Sequence, residues 1–98
     1  MNGMDNKNKE MKEFKDLEFA VRQNSSVVDG QVAAMEFDNG YGISVITGYG
    51  AYGSTDAPYE IAVLKDGGLC YDTEITDDVI GYLTPDKVTE YMIRIQEL

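Results

Sequence analysis

The period of apolar positions changes along the chain, and the changes mark its elements. Over residues 10–22, Met11, Phe14, Leu17 (or Glu18) and Val21 recur at helical spacing, with strong helix formers between them. That spacing predicts a helix. The run Leu17-Glu18-Phe19-Ala20-Val21-Arg22 also roughly alternates, so a strand is the competing reading. Gln23-Asn24-Ser25-Ser26 reads as a loop and Asp29-Gly30 as a turn. Strands are predicted over 32–37 and 42–47, joined by Asp38-Asn39-Gly40. Asn and Gly accept positive φ, so this connection favours a tight hairpin. A loop rich in Gly and Tyr occupies 48–58, and a second hairpin follows, with strands over 59–65 and 69–72 about Asp66-Gly67-Gly68. Its first strand, Tyr-Glu-Ile-Ala-Val-Leu, suits a pleated and partly buried surface.

Thr76 is placed to cap a short helical turn through Asp77 and Asp78, with Gly81 as its stop. The last helix carries the clearest signals. Thr84 is a good N-cap, Pro85 suits the first helical position, and Asp86 complements the positive helix end. Val88, Tyr91, Met92, Ile95 and Leu98 gather on one side of that helix, with Asp86, Glu90 and Glu97 almost opposite. The predicted fold is therefore α+β: an antiparallel sheet of about four strands in two hairpins, with a C-terminal helix packed on one face. A second, N-terminal helix is a further candidate element. Residues 1–9 read as a flexible leader and 10–98 as a single domain.

A length of 98 residues suits one domain. No apolar run approaches the roughly 18 residues of a membrane span, and residues 1–15 lack the apolar stretch of a signal peptide. Cys70 is the only cysteine, so no internal disulfide forms and a reducing cytosol is the simplest expected setting. Asn24-Ser25-Ser26 matches a glycosylation acceptor pattern, with nothing else pointing to secretion.

Charge changes the picture more. The formal net charge is −10. Residues 1–22 hold five acids and five bases, whereas residues 23–98 hold thirteen acids against Lys65, Lys87 and Arg94. The whole excess sits on the expected folded body. Such a field repels nucleic acid and anionic membrane and attracts basic partners. The plainer reading of the same charge is solubility.

Candidate chemistry is sparse. Gly48-Tyr49-Gly50-Ala51-Tyr52-Gly53 fits the G-x-G-x-x-G pattern and follows a predicted strand. A dinucleotide site also needs a helix N-terminus after the glycines to bind the pyrophosphate. Ser54-Thr55-Asp56-Ala57-Pro58 leads into a strand instead, and no Lys-Ser/Thr pair makes it a P-loop. Tyr49 and Tyr52 on a mobile glycine scaffold resemble a recognition loop, because Tyr supplies contact area at low entropic cost. Asp72, Glu74, Asp77 and Asp78 are dense in acid, but the D-x-[DN]-x-[DN]-G calcium pattern is absent. The chain has no histidine, which removes the usual general base and the common zinc sites. No catalytic residue, metal ligand or cofactor is assigned. Cys70 is expected to be a small buried hydrophobe. Ile93 falls among Asp86, Glu90 and Glu97, either as an ordinary exposed apolar residue or as an anchor inside an acidic rim.

The stretches Phe37-Asp38-Asn39-Gly40-Tyr41-Gly42-Ile43-Ser44-Val45-Ile46 and Leu69-Cys70-Tyr71-Asp72-Thr73-Glu74-Ile75-Thr76-Asp77-Asp78-Val79-Ile80-Gly81-Tyr82-Leu83 resemble a family of small proteins encoded by phages and prophages of intestinal bacteria. The likeness spans residues 35–98. It implies context rather than chemistry. By class, small acidic phage proteins resemble inhibitors of host defence such as anti-CRISPR and anti-restriction proteins. The resulting expectation is a non-catalytic inhibitor that occupies a basic nucleic-acid site on a host nuclease or CRISPR effector, without binding nucleic acid or membrane itself. Its candidate contact residues are Tyr49, Tyr52, Asp72, Glu74, Asp77, Asp78, Asp86, Glu90 and Ile93. Two other classes stay open: an oligomeric binder that sequesters a nucleotide immune signal, and a structural or morphogenetic phage protein.

Overall fold

Alternating apolar positions build an antiparallel sheet, and a computed structural model describes it for residues 11–24, 27–48 and 51–98, with backbone alone at 22–24 and 27–29. The predicted leader and Tyr49 lie outside the described residues. Among these, the sheet has six strands rather than about four. They are β1 (Ala20–Asn24), β2 (Val27–Glu36), β3 (Tyr41–Thr47), β4 (Tyr59–Lys65), β5 (Gly68–Leu69) and β6 (Ile80–Leu83), followed by helix α1 (Pro85–Gln96). The first four strands run in sequence order, and β5 and β6 both pair with β4. β5 meets the end of β4, through Leu64↔Leu69, and β6 meets its start, through Tyr59↔Leu83.

Register puts one face of the sheet in the core. Ala33 pairs with Val45, Val45 with Ile61, and Ile43 with Val63. These side chains form one cluster with Val88, Met92 and Ile95 of α1. Ile43, Val45, Val63, Val88, Met92 and Ile95 are all fully buried. The strands predicted for the two hairpins and the apolar side of the last helix thus meet as a helix-on-sheet core. Cys70 is buried in it. The Thr84 hydroxyl accepts the Lys87 N–H at 3.2 Å, so the predicted N-cap forms. No helix among the described residues is long and apolar enough to cross a membrane.

Turn chemistry sets the hairpins. At the first, Gly40 N–H donates to Phe37 O at 3.2 Å and Phe37 N–H to Tyr41 O at 2.7 Å, with Gly40 at φ 89°. That is a type I turn closed by a glycine bulge. At the second, Asp66 and Gly67 have φ of 53° and 87°, the two positive values that a two-residue hairpin turn demands.

Further expectations fail, among them the loop read from Gln23, since β1 extends through Asn24. The helix predicted over 10–22 is a 3-10 turn, Phe14–Asp16, followed by extended chain that enters β1. Asp16 N–H donates to Glu13 O at 2.9 Å and Leu17 N–H to Phe14 O at 3.0 Å within the turn, and further backbone groups of the segment bond to side chains of α1. Lys12 N–H donates to Gln96 Oε1 at 2.8 Å, Gln96 Nε2 donates to Lys12 O at 2.9 Å, and Phe14 N–H donates to Thr89 Oγ1 at 3.0 Å. Phe14 and Phe19 pack on Tyr59 with ring centroids 5.0 and 5.9 Å away. The competing strand reading of 17–22 therefore lies nearer the structure.

Asp29-Gly30 is not a turn between elements but lies inside β2, where the register of β1 shifts between Arg22 and Gln23. Gly30 has φ 125°, and a Cβ there would sit 2.1 Å from Thr47 O, so the close approach of β3 requires glycine.

The helical turn predicted after Thr76 is absent, and Gly81 lies in β6 instead of stopping a helix. The Thr76 hydroxyl accepts from Asp78 N–H at 3.1 Å, and Thr73 Oγ1 accepts from Ile75 N–H at 3.2 Å. Local side-chain bonds of this kind compete with helix formation.

Candidate functional site

The loop before β4 is fixed at both ends of Tyr52. Its N–H donates to Glu60 Oε1 at 2.8 Å, and its carbonyl accepts the Tyr82 N–H at 2.8 Å. Glu60 is 9% exposed although it carries a carboxylate. It alternates with the core-facing Tyr59 and Ile61, so it lies on the other face of β4, where the loop arrives. Downstream, Ser54 N–H donates to Ala57 O at 2.9 Å and Ala57 N–H to Ser54 Oγ at 3.2 Å. Gly53 is pressed against Pro58, where a Cβ would lie 2.7 Å from the Pro58 carbonyl oxygen. The described part of this loop is tied to β4 and β6 by these hydrogen bonds. It runs into β4 with no helix after the glycines, so the helix N-terminus that a dinucleotide would need is missing from residues 51–58.

β6 brings a second tyrosine to the same place. Gly81 lets Tyr52 approach, since a Cβ on Gly81 would lie 2.5 Å from Tyr52 Cβ. Tyr82 follows with φ 58°, a left-handed conformation rare for a bulky residue. Tyr52 and Tyr82 are each 62% exposed. Sequence reasoning missed Tyr82 because Gly81 was read as a helix stop, which placed Tyr82 in a connection. It missed Glu60 as well, although a lone acid in an otherwise apolar strand is a readable signal for a buried contact.

The candidate acids divide between two places. Asp77 and Asp78 are exposed immediately before β6, and Asp86 is exposed in the first turn of α1 just after it. They flank Tyr82 along the chain. Asp72 follows β5, at the other end of β4. Leu64 and Tyr59, which mark the two ends, are about 17 Å apart by strand rise. The Asp72 carboxylate accepts the Cys70 thiol at 3.1 Å and lines a shallow cleft of about 490 Å³ with Lys65, Asp66, Leu69 and Tyr71. Glu74 is exposed in the connection between these two places.

Glu90 faces Lys87 at 3.3 Å, one turn along the helix, which partly offsets its charge. Such an exposed pair contributes little to stability. Ile93 is half-buried rather than standing free in an acidic rim. Among the described residues, no basic side chain forms an ion pair with Asp72, Glu74, Asp77, Asp78 or Asp86. Nor do these residues hold a group of three or more His, Cys, Asp or Glu placed for a metal ion.

A larger cleft, of about 630 Å³, lies at the far end of α1 between Met11, Phe37, Asn39 and Gln96. Asn39 Nδ2 closes one side by donating to Ile95 O at 2.9 Å. None of the predicted contact residues lines it. Compared with known proteins, the chain matches no protein-family model, no curated protein and no solved structure.

Proposed function

We propose that this protein is a non-catalytic, phage-type inhibitor of bacterial immunity that occupies a basic nucleic-acid site on a host nuclease or CRISPR effector. One observation carries the reading: Asp77, Asp78 and Asp86 are exposed, without ion-pair partners among the described residues, on the chain that flanks Tyr82, beside the anchored Tyr52. Exposed carboxylates on a body of net charge −10 carry the charge sign that a phosphate-binding surface attracts, although the Asp78 carboxylate also accepts the Val79 N–H at 2.7 Å. Exposed tyrosines add contact area that is already ordered, which lowers the entropic cost of binding.

Affinity capture with the tagged protein from bacterial lysates, at low and at high salt, tests this. A nuclease or effector held at low salt and lost at high salt is the expected result, because charge-driven association weakens as ions screen it. Asp77→Lys with Asp78→Lys reduces that capture. A partner held equally well by the reversed variant rules out charge mimicry by these residues.

A further inference from the structure

Strand β1 borders the sheet, with β2 as its one neighbour among the described residues. A border strand offers its outward N–H and C=O groups to any chain that can align with them, and folded proteins commonly block such an edge with lysine, proline or a bulge. Residues 18–22 contain neither lysine nor proline, and the register shift against β2 falls after Arg22. Glu18 and Ala20 are exposed, and the apolar Val21 is left 58% exposed. Phe19, packed on Tyr59, holds the start of the strand in place.

The order of residues along this edge says what fits it. Outward from Ala20 come Phe19 and Val21, then Glu18 and Arg22. An antiparallel pair of identical strands centred on Ala20 sets Phe19 of each copy opposite Val21 of the other, and Glu18 of each opposite Arg22 of the other. Aromatic with β-branched and acid with base are favourable cross-strand pairs, and a two-fold axis makes each of them twice. Moving the centre to Phe19 or Val21 sets Glu18 opposite Ala20 or Asn24 and loses that match. Asp16, the other acid that Arg22 would then meet, belongs to the 3-10 turn and is not extended. Net charge favours the same edge. Residues 1–22 hold five acids and five bases, while the acidic excess lies in residues 23–98. Two copies of net charge −10 thus approach with a charge-balanced segment in front. We infer that the protein forms a two-fold dimer in which β1 pairs antiparallel with β1 of a second copy about Ala20. The two sheets join edge to edge, with α1 of both copies on the same side. This edge lies across the sheet from β6, so the dimer is independent of the surface proposed for a host target.

Sedimentation equilibrium of the full chain over a concentration series tests this. The wild-type protein dimerises. Glu18→Arg and Arg22→Glu each set like charges opposite one another at both positions, and each weakens the dimer about tenfold, the scale of two cross-strand pairs turned from favourable to adverse. An equimolar mixture of the two variants restores opposite charges at both positions and dimerises as the wild type does. Mixing cannot repair a folding defect, so recovery separates pairing from fold. Register is read by cross-linking under oxidised glutathione. Ala20→Cys links to itself, because opposite residues across the pair have Cα atoms about 4.5–5.5 Å apart, within disulfide range. Glu18→Cys does not, since its two copies stand about 13 Å apart along the strands. Cys70 is buried and stays out of the reaction. A monomer at every concentration overturns the inference. So does a dimer that both charge variants keep unchanged, a mixture that associates no better than either variant alone, or cross-linking through Glu18→Cys in place of Ala20→Cys.

Discussion

The backbone N–H of Tyr82 donates to the carbonyl oxygen of Tyr52 at 2.8 Å, joining the short strand β6 to the loop that precedes β4. The two residues lie thirty positions apart, and this bond holds their backbones together. The loop's other tie is Glu60, whose side chain accepts the Tyr52 N–H at 2.8 Å.

Glu60→Ala removes that tie without touching the helix-on-sheet core. Bonds to charged groups contribute about 1.5–3 kcal/mol, so the Tyr52 amide exchanges with solvent deuterium about tenfold faster or more. Glu60→Gln keeps an acceptor and preserves most of the protection. Exchange followed by NMR distinguishes the two. An Ala variant with wild-type protection at Tyr52 shows that the loop is held elsewhere.

Gly81→Ala drives a Cβ to within 2.5 Å of Tyr52 Cβ and 2.6 Å of Tyr52 O. Either β6 or the loop must give. The expected cost is about 1–3 kcal/mol in urea denaturation, the range for forced overpacking, together with lost protection at the Tyr82 amide. Wild-type stability in this variant would contradict the close approach of the two segments.

Asn39 joins the first hairpin turn to the end of α1. Its Nδ2 donates to Ile95 O at 2.9 Å, and its Oδ1 accepts the Tyr41 N–H at 3.1 Å. Asn39→Asp keeps the acceptor, loses the donor and sets a negative charge at the negative end of a helix. A loss of about 1–2 kcal/mol follows from the missing bond and the adverse dipole. Asn39→Ser loses the donor to Ile95 without adding charge and is less destabilised at low salt. Equal stability of the two variants removes the dipole contribution.

Much of the fold was legible in the sequence. Strands β3 and β4 are rich in residues that suit a pleated, buried surface, and Asn39-Gly40 and Asp66-Gly67 supply residues that tolerate positive φ. Thr84-Pro85-Asp86 starts α1 where expected. These signals are local, so neighbouring residues suffice to read them. Residues 10–22 misled because Met11, Phe14, Leu17 and Val21 fit a helix while Phe14 and Phe19 fit the pocket beside Tyr59. Burial and the bonds to Thr89 and Gln96 decided in favour of extended chain. Thr76 and Gly81 were given local roles, as cap and stop, yet the close approach of Tyr52 is what governs Gly81.

The sequence by itself determined the α+β class, the hairpin turns, the apolar side of the last helix and the acidic excess of the body, because period, turn chemistry and charge are properties of short stretches. Only the tertiary structure decided the extended N-terminal segment, the anchoring of Tyr52 by the buried Glu60, and the pairing of Tyr52 with Tyr82. Each depends on contacts between residues distant in the chain. Their energies come from burial and hydrogen bonding across the fold, and local propensity carries no record of them.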